Sequence, residues 1–314
     1  MTKKQSVILS SREDVDIHDY ENEENKLFLD GIVRGIKSIP YRNLWSFDHH
    51  GKLPRFATLS TTKQVDRAAR LGFNFESIKE IHINHIDVDS VGSAYAALSS
   101  QEPLEDNVIE TIDIIDVNGP VLASECQINL FKGYAKELDD LFKEEVDMMR
   151  SNEGVIPIDI TNKVIEFGEK CLRNYKFFCE NFNFKGDNDA SFVYKLSKID
   201  FIDEVTIDGI HLIVAKTSPD YYGGMSDCYG RGATVAMCYS EIEDSDNHIV
   251  TIAKKSDFVW LPFNNLMAKL NELEDEINPG NTGWGGGTTI GGSPRPQGTK
   301  IPPPQIIEEI KSLL

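Results

Sequence analysis

Two short clusters, Trp45–Gly51 and Ile81–Ser93, constrain this chain more than any other part of its sequence. The first contains Asp48-His49-His50. The second contains His82, His85, Asp87 and Asp89, followed by Ser90, Gly92 and Ser93. Together they hold four of the chain's seven histidines. Each lies at or beside the end of an apolar, strand-like run, where ligands from separate segments converge in open α/β sheets. Neutral imidazole and carboxylate are the donors that Mn, Fe and Zn take when no thiolate is on offer. The clusters therefore read as one divided metal site.

The surrounding stretches set the expected fold. Val7–Ser10, Leu44–Phe47 and Ile78–Ile86 are predicted strands, and Leu27, Phe28, Ile32, Val33 and Ile36 stand at helical spacing. Thr58–Arg70 reads as a helix stopped at Gly72, and Ser90–Leu98 as a helix of small residues packed behind a strand. Ile109–Val117 is a further predicted strand, ending in a turn at Asn118-Gly119-Pro120. Strand–helix–strand alternation of this kind builds a βαβ sheet.

Helical spacing takes over in Tyr134–Met149 and Asn162–Phe182. After Gly186, the stretches Ala190–Lys198, Glu204–Ala215, Ala233–Tyr239 and His248–Ala253 alternate or run apolar with β-branched residues. Tyr221–Arg231 reads as a polar, aromatic loop and Phe263–Glu274 as an amphipathic helix. Asn278–Pro304 is rich in Gly and Pro, and a short helix starts at Gln305. The expected class is α/β: a parallel-sheet metal-binding domain (1–150), a smaller, mostly β second domain of α+β type (151–277), and a Gly/Pro-rich segment with a C-terminal helix (278–314).

Charge and cysteines narrow the partners. A net charge of −19 opposes non-specific binding to long duplex nucleic acid, whose phosphates need Lys and Arg. A local basic groove or bound cations still attract a small phosphorylated ligand. The five cysteines, at 126, 171, 179, 228 and 238, contain no Cys-x-x-Cys pair. An odd set without that pair indicates neither a disulfide framework nor a zinc knuckle, and Cys228 has no evident base partner. With no apolar leader and no run long enough for a membrane span, the expected setting is the reducing cytoplasm, with no membrane partner. A homo-oligomer stays open.

Asp87 and Asp89 both reach a metal if the strand ends there and the backbone turns, with Gly92 letting the next helix come close. Asp48 offers a carboxylate to bridge ions, and His49 and His50 imidazoles to cap them. One further carboxylate is expected from Asp113 or Asp116, with Asp116 favoured at the end of its predicted strand. One further imidazole is expected from His82 or His85, with His85 favoured. Together these hold two ions ~4 Å apart that share an activated water. His18-Asp19 reads as a solvated pair. The Gly283–Arg295 stretch is either a flexible linker or a phosphate cradle built from Gly286, Gly287, Thr288, Thr289 and Ser293, with Arg295 as the charge clamp. Lys52 and Arg55 are further candidates to face a phosphate.

The Asp48-His49-His50 triplet, with the Asp87-Val88-Asp89-Ser90-Val91-Gly92-Ser93 run, resembles the DHH phosphoesterase superfamily. That group includes RecJ-type exonucleases, manganese inorganic pyrophosphatases, oligoribonucleases and cyclic-dinucleotide phosphodiesterases. The resemblance implies a parallel α/β domain with two Mn2+ ions and a smaller domain that closes over the substrate. It also implies a glycine-rich substrate loop, to which Gly283–Arg295 is similar. The likeness covers about fifty residues plus this tail.

Two features depart from the family pattern. Asp-His-His precedes Asp-x-Asp here, whereas the family has the reverse order. The family's leading histidine position, four residues before Asp87, is Ile83. The His85-x-Asp87 spacing also resembles the melanocyte-proliferating-gene-type hydrolases. The expected function is a metal-dependent phosphoesterase for a nucleotide or other small phosphorylated substrate, with Asp48, His49, His50, Asp87 and Asp89 catalytic. The alternatives are a catalytically inactive nucleotide-binding module and a metal-dependent hydrolase of a non-phosphate bond.

Overall fold

The computed structural model describes residues 5–10, 15–50, 57–150, 157–175, 199–217, 221–242, 245–256, 258–281, 283–295 and 297–314. Gly51, Lys52, Arg55, Cys179, the 190–198 stretch and the end of the 162–182 stretch lie outside these residues. The chain forms two compact units, each with its own six-stranded mixed sheet. The first comprises the described residues of 1–53, 57–117 and 122–186; the second comprises those of 54–56, 118–121 and 187–314. Division is thus into two parts rather than three. Residues 157–175 belong to the first unit, whereas the rest of the described 151–277 stretch and the Gly/Pro-rich segment belong to the second.

The first sheet contains β1 (Ser6–Leu9), β2 (Lys26–Leu29), β3 (Lys37–Ile39), β4 (Leu44–Phe47), β5 (Glu80–Ile83) and β6 (Ile158–Asp159). Its order is β3-β4-β2-β5-β1-β6. The inner strands β4, β2, β5 and β1 pair in parallel, and β3 and β6 add antiparallel edges. Inner parallel strands are covered on both faces and therefore read as apolar runs. Leu27, Phe28 and Leu29 on β2 are all fully buried.

The helix predicted over Leu27–Ile36 is instead β2 followed by a turn. Asp30 (φ 55°) and Gly31 (φ 109°) take left-handed conformations that no α-helix accommodates. Ile32 and Val33 then fold back into a cluster with Phe28, Ile39 and Leu44.

Helices α1 (Thr61–Arg70), α2 (Val88–Leu98), α3 (Asp106–Asn118), α4 (Glu125–Leu141), α5 (Lys143–Arg150) and α6 (Thr161–Phe167) complete the first unit. Small residues let α2 press against α1: a Cβ on Gly92 would stand 3.0 Å from Thr62 Oγ1. Ile109–Val117, predicted as a strand, lies within α3. Its β-branched composition favours strands, but Val108, Ile109, Ile112 and Ile115 recur at helical spacing and are buried. The 3.6-residue period wins because one face of the segment packs inward.

The second sheet has the order β11-β12-β10-β9-β8-β7. Its strands are β7 (Asp200–Ile207), β8 (Ile210–Lys216), β9 (Val235–Glu241), β10 (His248–Lys254), β11 (Gly285–Gly286) and β12 (Ile290–Gly292). The single strand expected over Glu204–Ala215 is a hairpin, turned at Asp208 (φ 48°) and Gly209 (φ 82°). An Asp-Gly pair with both φ positive is the favoured two-residue connection. Between the parallel strands β8 and β9 runs α7 (Tyr221–Gly230), where a loop was expected. Parallel neighbours cannot be joined by a tight turn, and a helix spans the gap.

Alternation along β8 sorts the core. Leu212 and Val214 face the cluster formed with α8 (Phe263–Ile277) and α9 (Pro303–Leu313), while Ile213 and Ala215 face Met225 and Cys228 of α7. Among the described residues, no helix is long and apolar enough to cross a membrane.

Candidate metal centre

The strand order of the first sheet decides the site. Because β2 lies between β4 and β5, Asp30 at the end of β2 stands between Asp48-His49-His50 and His85-Ile86-Asp87. Asp30 is 1% exposed. Its Oδ1 lies 3.4 Å from His49 Nε2 and 3.3 Å from His50 Nδ1, and accepts from Thr61 Oγ1 at 3.2 Å. Its Oδ2 lies 3.2 Å from His85 Nε2 and accepts from Ser90 Oγ at 2.7 Å. The sequence reading missed Asp30. Its signal is the apolar triplet Leu27-Phe28-Leu29 running straight into Asp30-Gly31, which the helical spacing of that stretch concealed.

Asp87 caps α2, accepting the Ser90 amide at 2.8 Å, and its other oxygen lies 3.0 Å from His85 Nε2. Asp89 follows in the first turn of α2 and is buried. Both its oxygens accept amides from the start of α1, from Thr61 at 2.7 Å and Thr62 at 2.8 Å. Asp116 on α3 places Oδ2 3.2 Å from His49 Nδ1.

Among the described residues, donor atoms converge in three triplets, each within 4.8 Å: Asp30, His49 and His50; Asp30, His85 and Asp87; His49, Asp89 and Asp116. Six of the seven expected ligands, His49, His50, His85, Asp87, Asp89 and Asp116, thereby fall in these groups, with Asp30 in two of the three. The seventh, Asp48, is placed differently. Its Oδ2 accepts the Gly35 amide at 2.6 Å, and its Oδ1 meets the His50 amide at 3.0 Å and His50 Nδ1 at 2.7 Å.

Asp113, the alternative to Asp116, is turned toward the start of α1, accepting the Ser60 amide at 2.8 Å and Lys63 Nζ at 2.9 Å. His82, the alternative to His85, lies 3.1 Å from Glu80 and packs by the Phe28 ring. His18 and Asp19 lie in a short 3-10 turn and belong to none of the triplets.

Electrostatics follow from this crowding. Burial opposes ionisation of Asp30, but His85, His50 and His49 outweigh it and hold the carboxyl well below the usual carboxylate range. Desolvation opposes the His85 imidazolium, yet Asp87 and Asp30 raise its pKa well above the ordinary imidazole value. Asp89 is pushed up to about 7 by burial and by the charges of Asp30 and Asp87. Three imidazoles and four carboxylates with no thiolate thus form groups that could hold a metal ion.

The glycine-rich stretch of the second unit lines a cavity of 360 Å³ with Gly286, Gly287, Ile290, Ser293 and Arg295, and with Thr251 of β10. Arg295 Nη2 donates to Thr251 Oγ1 at 2.9 Å, and Ser293 Oγ accepts the Val250 amide at 3.0 Å. Thr288 and Thr289 connect β11 to β12. No family model and no curated protein sequence matches the chain.

Proposed function

We propose that this chain is a metal-dependent phosphohydrolase acting on a nucleotide or another small phosphorylated compound through a dinuclear centre. The observation that carries the reading is the sharing of donors between triplets. Asp30 belongs to two of them, its Oδ1 facing His49 and His50 and its Oδ2 facing His85. A carboxylate placed in this way can hold two adjacent cations, one on each oxygen. Asp30, His49, His50, His85, Asp87, Asp89 and Asp116 would hold the ions, with Mn2+ the favoured metal. When bound, the ions supply an activated water at neutral pH and neutralise charge on the phosphoryl oxygens.

The remaining residues hold this set in place. Asp48 orients the His50 ring, Ser90 and Thr61 fix the Asp30 carboxylate, and the α1 amides fix Asp89. Within the second unit, the cavity at Gly286, Gly287 and Arg295 would take an anionic group of a ligand, Arg295 supplying the opposite charge.

Metal content of the purified protein after Mn2+ loading and dialysis, beside an Asp30→Asn variant, tests the reading. About two ions per chain, lost in the variant, are expected. A substrate panel then separates the phosphohydrolase from a hydrolase of carboxylic esters or amides, since only the former releases phosphate or a nucleoside monophosphate. Wild-type protein that retains no metal overturns the reading. Tight nucleotide binding without turnover would replace it with a binding module.

A further inference from the structure

Glu274 occupies an unusual place for a carboxylate. Phe263, Leu266, Met267, Leu270 and Glu274 form the buried stripe of α8, and Glu274 is 0% exposed within it. A buried acid is tolerated only where donors surround it. Its Oε1 accepts Asn281 Nδ2 at 2.9 Å and the Lys300 amide at 3.3 Å. Its Oε2 accepts Trp284 Nε1 at 3.3 Å and the Thr299 hydroxyl. These donors come from the two ends of one segment, Asn281 and Trp284 at its start and Thr299 and Lys300 at its finish.

Asn271, one turn earlier on α8, grips the same start. Its Oδ1 accepts the amides of Gly283 and Trp284, both at 2.9 Å, and its Nδ2 donates to the Trp284 carbonyl at 2.8 Å. Asn281 Nδ2 also donates to the Gly298 carbonyl at 3.0 Å, tying start to finish directly. Every lining residue of the 360 Å³ cavity except Thr251 lies between these ties, and neither Asn271 nor Glu274 lines it.

We propose that Asn271 and Glu274 are positioning residues: a clasp on α8 that holds the 283–295 loop in its cavity-forming shape before any ligand arrives. The loop is rich in glycine and would otherwise lose much backbone freedom on binding. A clasp removes that penalty from the binding step, which is preorganisation. The effect on affinity rests on the proposed role of the cavity as an anion site; the effect on loop order does not.

The test uses the full chain with Asn271→Ala, Asn271→Asp and Glu274→Gln. Amide hydrogen exchange reads loop order, and calorimetry with adenosine monophosphate and with inorganic phosphate reads affinity, with chelator present to silence the metal centre. Asn271→Ala should speed exchange over 283–295 about tenfold while β8 and β9 keep their protection. It should weaken binding by about tenfold. Asn271→Asp keeps Oδ1 as the acceptor for the Gly283 and Trp284 amides but replaces the donor to the Trp284 carbonyl with a second acceptor, and should recover only part of both losses. Glu274→Gln keeps the volume but turns one acceptor into a donor facing Trp284 and Thr299, and should resemble Asn271→Ala.

Unchanged exchange, or a uniform rise across the second sheet, overturns the clasp. Localised acceleration with unchanged affinity overturns its role in binding. Wild-type protein that binds neither probe overturns the cavity reading instead, and exchange alone then decides the clasp.

Discussion

Ser90 donates its hydroxyl to Oδ2 of Asp30 at 2.7 Å, joining the first turn of α2 to the end of β2 inside the candidate metal centre. The same hydroxyl lies 2.9 Å from His85 Nε2. Removing it leaves Thr61 as the one hydroxyl among the described residues orienting Asp30 and deprives a buried carboxylate of a donor. Ser90→Ala should therefore bind the same number of Mn2+ ions as wild type, with affinity about tenfold lower. Titration calorimetry checks both quantities.

Asp48 and Asp30 should respond differently to the same chemical change. Asp48 spends both oxygens on Gly35 and His50, so Asp48→Asn should weaken Mn2+ binding by about 10- to 100-fold while the site still fills at saturation. Asp30→Asn removes the carboxylate shared by two donor triplets and should lower the stoichiometry itself. Metal analysis at saturating Mn2+ distinguishes the pair.

Gly286 should tolerate no side chain. Its φ of 151° is one that L residues rarely adopt, and a Cβ there would lie 2.2 Å from the Ile290 carbonyl oxygen. Gly286→Ala should destabilise the second unit by about 2 kcal/mol or more. Gly230 has open space around it, and Gly230→Ala should stay within about 0.5 kcal/mol of wild type. Denaturant unfolding of the two variants measures the contrast.

His82 sets a pH dependence of stability separate from the metal centre. Burial, reinforced by nearby Lys26 and opposed by Glu80, lowers its pKa below the ordinary imidazole value. The folded state therefore resists protonating it, while the unfolded chain takes up the proton near pH 6.5. The contribution is complete above that pH and is lost as pH falls through the folded-state pKa. His82→Gln, which can still hydrogen-bond Glu80, should lose less stability than wild type between neutral pH and pH ~5.5. Unfolding curves at the two pH values give the comparison.

Much of the first unit is legible without coordinates because its signals are local. Leu44–Phe47 is a strand over those very residues, and the Ser60 cap and the small residues behind Asp87 mark α1 and α2. Ile109–Val117 is not legible in this way, because β-branched composition and helical spacing conflict there and packing settles the outcome. Tyr221–Arg231 fails for a related reason: Gly and polar residues weaken helix propensity, and the parallel pairing of β8 and β9 calls for a crossover between them.

Residue chemistry alone makes His49, His50, His85, Asp87 and Asp89 metal-ligand candidates, since imidazole and carboxylate grouped at strand ends carry that meaning wherever they fold. The apolar run into Asp30-Gly31 marks a strand end, but no local signal joins Asp30 to the other donors or separates Asp116 from Asp113. Asp30 becomes central because long-range pairing inserts β2 between β4 and β5. Asp116 reaches His49, and Asp113 the start of α1, because three residues along a helix shift a side chain by ~4.5 Å along the axis and about 60° around it. Donor type is a property of single residues, whereas the order of strands and the rotation of a packed helix arise from contacts between segments far apart in the chain.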